Sequence, residues 1–212
     1  MVPAGPNQWT GCNVFNQDLP GMAARRPFFA FLALLGALLL SACGSQGTAG
    51  NYGGKTPDYA KALAGAPKPL AQLYANPDQL IPGGSDAYAQ QLAKLKGYPV
   101  VANVWASWCG PCRFEFPLFQ HVSAKLGKRV AFIGVNSFDS EDAAKTFLSE
   151  YPVPYPSVSD PGQDVWHDLN LAGLPGTAYY DRSGKLTYVK QGPYTSEADF
   201  RADIQRYALG QG

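Results

Sequence analysis

From Tyr98 to Trp105 the chain reads YPVVANVW, a β-branched run that predicts a buried strand. It leads through ASWC into a helix expected from about Gly110 to Leu126, where Leu118, Val122 and Leu126 form one apolar stripe. Pro117 lies inside that helix and predicts a kink. Arg129 to Asn136, RVAFIGVN, is the next buried strand. Ser140 then reads as an N-cap, with Glu141 and Asp142 in the first turn and Ala143, Ala144, Phe147 and Leu148 on the inner face. YPSVSD predicts a short strand, and Asp164 to Asn170 a short helix. After GLPG, the segments TAYYD and KLTYVKQ, split by RSG, predict an antiparallel hairpin. A last helix is capped near Ser196 and carries Phe200, Ile204 and Tyr207 at helical spacing. Ala75 to Lys96 reads as a loop followed by a helix from about Ser85. Strand–helix–strand units followed by a hairpin and a helix imply an α/β fold, a mixed central sheet with helices on both faces.

The N-terminal part has a different pattern. Arg25 and Arg26 precede the apolar run Phe28 to Leu40, FFAFLALLGALLL. A spanning helix needs about 20 apolar residues, so this shorter run reads as the core of a signal peptide; a short membrane anchor is the competing reading. The run closes on LSAC, Leu40 to Cys43, which resembles the lipobox of bacterial lipoproteins. That resemblance implies lipidation of Cys43 and anchoring through acyl chains, each buried CH₂ contributing about 0.8 kcal/mol; ordinary cleavage and release is the alternative. Met22 sits just before the arginines and reads as the start, which makes residues 1–21, with Cys12, an upstream extension. RRPFF is similar to a twin-arginine signal, but no polar residue precedes Arg25, and general secretion is preferred. Residues 44–66 are rich in Gly and Ala with few large apolar groups, a flexible tether that cannot offset its ordering entropy. The folded domain is expected over 67–212.

Composition narrows the classes. Of 212 residues 46% are hydrophobic, enough for a core without staples. The formal net charge is +1, and no basic run lies outside the extreme N-terminus, which argues against nucleic-acid binding.

The chemistry lies in WASWCGPCRFEFP, Trp105 to Pro117. After a strand and at a helix start, Cys109 meets the free backbone N–H groups and the positive end of the helix dipole. Its thiol pKa is expected to fall to about 7 or below. Cys112 lies almost one turn on, close enough to close a disulfide with Cys109 but facing inward. Cys109 would then attack a substrate disulfide and Cys112 resolve the mixed disulfide. Pro111 suits the first helical turn. A zinc knuckle needs four ligands, whereas Cys43 belongs to the lipobox, Cys12 lies upstream, and His121 and His167 are isolated. A structural bridge over so short a loop removes little unfolded-state entropy. No metal and no cofactor are expected.

WASWCGPCR resembles the active site of the thioredoxin superfamily. CGPCRFEFP, together with FIGVNSFDSEDAAKTFLSEYPVPYPSVSD, is similar to its extracytoplasmic TlpA/ResA/DsbE-like branch. The resemblance covers about Pro67 to Tyr207 and implies a thioredoxin-like fold with that branch's extra strand and helix between the central strand and GLPG. It also implies a cis-proline facing the dithiol at Pro175, preceded by Leu174, whose peptide pairs with the substrate backbone like an added strand. The family carries Thr directly after that proline; here Gly176 intervenes before Thr177. Glu115 matches the branch's C-x-x-E-x-P glutamate, which implies proton handling and thiol tuning; a solvated helix glutamate is the alternative. Minimal thioredoxins carry a buried Asp where this chain has Asn103. Trp108 is expected to shape the rim around Cys109, and Trp105 to be core. Phe114, Phe116 and Phe119 are candidates for an apolar docking surface or for core packing.

The resemblance implies a monomeric, lipid-anchored thiol-disulfide oxidoreductase on the extracytoplasmic face of a bacterial membrane. Gly110–Pro111 is the dipeptide of reducing thioredoxin, at about −270 mV against about −120 mV for the oxidant DsbA, and points to a reductase. Such a reductase would draw electrons from a membrane thiol transporter of the CcdA/DsbD type and act on protein disulfides, apocytochrome c among them. A DsbE-like oxidant is the alternative. A peroxidase would need Thr three residues before its cysteine, where Ala106 stands, and a copper chaperone would need Cys-x-x-x-Cys with a His.

Overall fold

A computed structural model describes residues 55–211. The predicted signal segment, Cys43 and residues 44–54 of the tether lie outside them. Seven helices and six strands follow one another among the described residues: α1 (Tyr59–Ala62), α2 (Lys68–Leu73), β1 (Leu80–Ile81), α3 (Gly84–Lys94), β2 (Val100–Trp105), α4 (Gly110–Leu126), β3 (Ala131–Ser137), α5 (Glu141–Glu150), β4 (Ser157–Asp160), α6 (Asp164–Asp168), β5 (Gly176–Tyr180), β6 (Leu186–Gln191) and α7 (Glu197–Asp203). A π-helical turn, Ile204–Ala208, closes α7. None of the described helices is long and apolar enough to cross a membrane.

The strands form one mixed sheet in the order β1-β4-β3-β2-β5-β6. β1, β4, β3 and β2 run parallel, and the β5–β6 hairpin joins antiparallel through β2. The predicted α/β architecture, with a strand and helix added between β2 and GLPG, is what forms. β1 escaped prediction because two residues are too few to show a period.

Both faces of β2 are buried, as a central strand between two helix layers requires. Val101 and Trp105 point to one layer with Phe116, Phe119, Phe147 and Phe200. Val100, Ala102 and Val104 point to the other, with Leu70, Leu95, Ile133 and Val165. Trp105 is core, edge-on to Phe116 at 5.3 Å and 4.8 Å from Phe147, and its Nε1 donates to Ser157 Oγ at 3.2 Å. Gly134 of β3 makes room for this contact: a Cβ there would press into the Ser157 side chain and sit 3.0 Å from Trp105 Nε1. Gly134→Ala is expected to lower stability by about 1–3 kcal/mol through overpacking. Urea unfolding would read this as a lower midpoint at unchanged slope; an unmoved midpoint would mean that Ser157 swings aside freely.

α5 starts where expected, Ser140 Oγ accepting from the Ala143 N–H at 3.3 Å, with Ala144, Phe147 and Leu148 buried; Ala143 is only half-buried. α4 runs unbroken across Pro117. The folded region begins before the predicted Pro67 boundary. α1 lies within the stretch read as tether, and Tyr59 donates its hydroxyl to Pro152 O at 2.8 Å. Lys128 Nζ donates to Ala64 O at 3.0 Å, and Leu63 packs against Gly127 at the end of α4. A few large side chains thus dock a segment whose Gly and Ala content alone predicts none of it.

Candidate active site

β2 ends at Trp105, and a four-residue connection delivers Cys109 to the N-cap of α4. There the Cys109 sulfur accepts the Cys112 backbone N–H at 3.1 Å, so the helix start contacts the sulfur with a donor that no carbonyl in the helix can satisfy. Pro111 occupies the first turn. Cys109 and Cys112 are joined as a disulfide. Cys112 is wholly buried and Cys109 nearly so, at 3% exposure.

The connection is held from the side. Asp139, after β3, accepts from the Ser107 N–H at 2.6 Å and the Ser107 hydroxyl at 2.8 Å, and from Asn136 Nδ2 at 3.0 Å. Arg113 Nε donates to Ser107 O at 2.9 Å. Trp108 stands 64% exposed beside the dithiol, its Nε1 donating to Phe138 O at 2.7 Å. Phe138, at φ 59°, packs edge-on to Trp166 at 5.1 Å. Of the three phenylalanines of α4, Phe116 and Phe119 are core, and only Phe114, 47% exposed, remains at the surface.

Glu115 is fully buried, which removes the solvated-helix reading. Its Oε1 accepts from Asn103 Nδ2 at 2.8 Å, and its Oε2 from the Tyr194 N–H at 2.9 Å. Burial pushes the carboxyl up to about 8; the two hydrogen bonds and the Lys190 charge pull the other way without cancelling it. Cys112 and Glu115, three apart on α4, are neighbours on the helix surface. A carboxyl that titrates near neutral pH beside a buried thiol can accept or return that thiol's proton.

The Leu174–Pro175 peptide is cis. Val104 pairs with Gly176, so Pro175 lies at the same end of the sheet as the β2–α4 connection. Gly176 meets the close approach of Leu171, whose side chain occupies the space a Cβ would need. That explains why this chain departs from threonine directly after the proline. Thr177 follows in β5 opposite Asn103, and both Thr177 Oγ1 and Asn103 Oδ1 are buried without a hydrogen-bond partner.

The Redoxin family profile matches residues 68–204. The chain belongs to the redoxin family. Among curated redoxin relatives, the thiol:disulfide interchange protein HelX of Rhodobacter capsulatus is 33% identical over 137 residues, 64% of this chain and 72% of that protein. The thiol-disulfide oxidoreductase ResA of Bacillus subtilis is 32% identical over 106 residues, 50% of this chain and 59% of that protein. Among solved structures, a thiol:disulfide interchange protein DsbE from Chlorobium tepidum superposes with a TM-score of 0.51 at 30% identity, over 57% of this chain and 85% of that one. The fold is thioredoxin-like, and this redoxin domain is a protein thiol-disulfide oxidoreductase.

Asp139, Phe138, Tyr194 and Lys190 were not identified from sequence. An aspartate three residues after a buried strand asparagine, in NSFD, was a readable turn signal for the first. Tyr194 acts through its main chain, which no side-chain pattern marks.

Proposed function

We propose that the protein is a reductase of protein disulfides on the extracytoplasmic face of a bacterial membrane. Translation starts at Met22, the segment up to Leu40 directs export, and Cys43 carries the lipid anchor ahead of the tether. The observation that carries the reaction is the arrangement at the head of α4: the Cys109–Cys112 pair at the helix start, with buried Glu115 one turn further in.

In the reduced form the Cys109 thiolate attacks a client disulfide. One client sulfur leaves as thiolate, and the other stays bound to Cys109. Glu115, as carboxylate, takes the proton of Cys112, whose thiolate then attacks Cys109 Sγ. The intramolecular disulfide forms and the second client sulfur leaves as thiolate. The client gains two electrons and the pair loses two. Leu174 and Pro175 hold the client backbone, and Trp108 forms the rim. The pair is restored by a membrane dithiol carrier of the CcdA/DsbD type, and cysteines of apocytochrome c are among the clients. Gly110–Pro111 supports the reducing direction.

Trapping free thiols in living cells tests the direction. The expected result is a pair that is mostly reduced at steady state and turns oxidised when membrane electron supply is removed. A pair that stays mostly oxidised would instead support a DsbE-like oxidant.

A further inference from the structure

Three residues stand side by side across the sheet behind the dithiol. Asn103 of β2 pairs with Thr177 of β5, and Thr177 with Lys190 of β6. Directly paired residues of antiparallel strands project from the same face. Glu115 reaches that face, since it accepts from Asn103. A polar row thus crosses a sheet whose neighbouring positions are apolar, and a lysine ends it.

Lys190 does not run out into solvent. An ammonium has three protons to donate, and this one meets three successive carbonyls, those of Gln191, Gly192 and Pro193, each at 3.2 Å. Its Nζ also lies 4.7 Å from the centre of the Tyr194 ring, a cation–π contact. The chain wraps around its own side chain, with Gly192 at φ 77° making the bend.

The wrapped turn holds two parts of the site at once. Gly192 N–H donates to Pro175 O at 3.0 Å. The Gln191 side chain accepts from the Ala172 N–H at 3.0 Å and donates to Asn170 O at 3.3 Å. Tyr194 N–H donates to Glu115.

We propose that Lys190 is a positioning residue of the redox site: by gathering three carbonyls it fixes the turn that ties the Pro175 loop to the Glu115 carboxyl, and it keeps a positive charge near that carboxyl. Its consequence for exchange rests on the proton-handling role proposed for Glu115. Lys190 is the cation acting on Glu115 and favours its ionised form. The phenols that share the site, Tyr194 after β6, Tyr179 of β5 and Tyr155 ahead of β4, are pushed up by burial and stay neutral at working pH. Among the described residues, Asp203 of α7 joins the same network by accepting from the Tyr194 hydroxyl, and Cys112 lies three positions before Glu115 on its own helix.

The test uses Lys190→Met and Lys190→Arg in the full chain. The Glu115 carboxyl is followed by NMR of carbon-13-labelled glutamate, alongside the pH profile of reduction of a disulfide peptide. Lys190→Met should raise the Glu115 midpoint, as loss of an opposite charge does, and carry the bend of the exchange profile with it. Lys190→Arg, which keeps the charge, should restore most of the shift. An unmoved Glu115 midpoint in Lys190→Met overturns the proposal, even if thermal stability falls, because a mere staple would show only that fall. Should Lys190→Met not fold, Lys190→Gln keeps donors for the carbonyls without the charge and gives the same reading. A Glu115 midpoint that moves while the exchange profile stays put upholds the positioning and overturns the proton-handling role instead.

Discussion

Replacing Cys109 by serine is expected to abolish disulfide exchange, and replacing Cys112 by serine to stall it one step later, with clients still bound through Cys109. The difference follows from their places on α4. Cys109 caps the helix, where the Cys112 N–H already points at its sulfur and favours a thiolate. A helix N-terminus lowers a thiol's pKa and so raises its thiolate fraction above that of a free cysteine. Cys112 is wholly buried and meets only a sulfur that Cys109 has already brought in. Serine at 109 leaves no accessible nucleophile, whereas serine at 112 leaves a nucleophile without a resolver. Non-reducing gels of cells expressing each variant read this directly as an absence of adducts for Cys109→Ser and a ladder of adducts for Cys112→Ser. A Cys112→Ser protein that traps nothing would contradict the order of attack.

Glu115→Gln is expected to slow the resolving step by about 100-fold, the lower end of what a positioned acid–base group contributes. It should also remove the bend near pH 8 from the rate profile. The carboxyl's position near 8 gives the stability effect a definite sign. The unfolded chain ionises this group near the ordinary glutamate value, while the folded chain keeps its proton up to about 8. Between those limits the folded state binds more protons, so stability is full at the acid end and falls as pH rises through 8. Urea unfolding of the oxidised protein at pH 5, 7 and 9 should show that decline, and Glu115→Gln should flatten it. An unchanged slope with pH would mean that the buried carboxyl is ionised throughout.

The parts of this fold that were legible in sequence are those where one strong local signal suffices. VVANVW, between Pro99 and the CxxC turn, predicted β2; α4 was expected from Gly110 to Leu126 and spans those residues. What stayed hidden depends on distant partners. The burial of Glu115, which the resemblance alone singles out, depends on Asn103 and on the Tyr194 N–H, 79 residues away. The carbonyls that hold Lys190 belong to a turn whose shape only the fold defines. The docking of α1 likewise needed the surface of α4 and the Pro152 carbonyl.

That docking also sets an orientation. Leu63 and Ala64 meet Gly127 and Lys128 just past the last turn of α4, whereas Cys109 caps its first. Seventeen helical residues separate the two ends, about 25 Å at the helical rise. The chain therefore joins the body at the foot of a strut whose head bears the sulfurs. Residues 63–64 and the dithiol thus lie at opposite ends of one helix, so contacts made at either end leave the other uncovered.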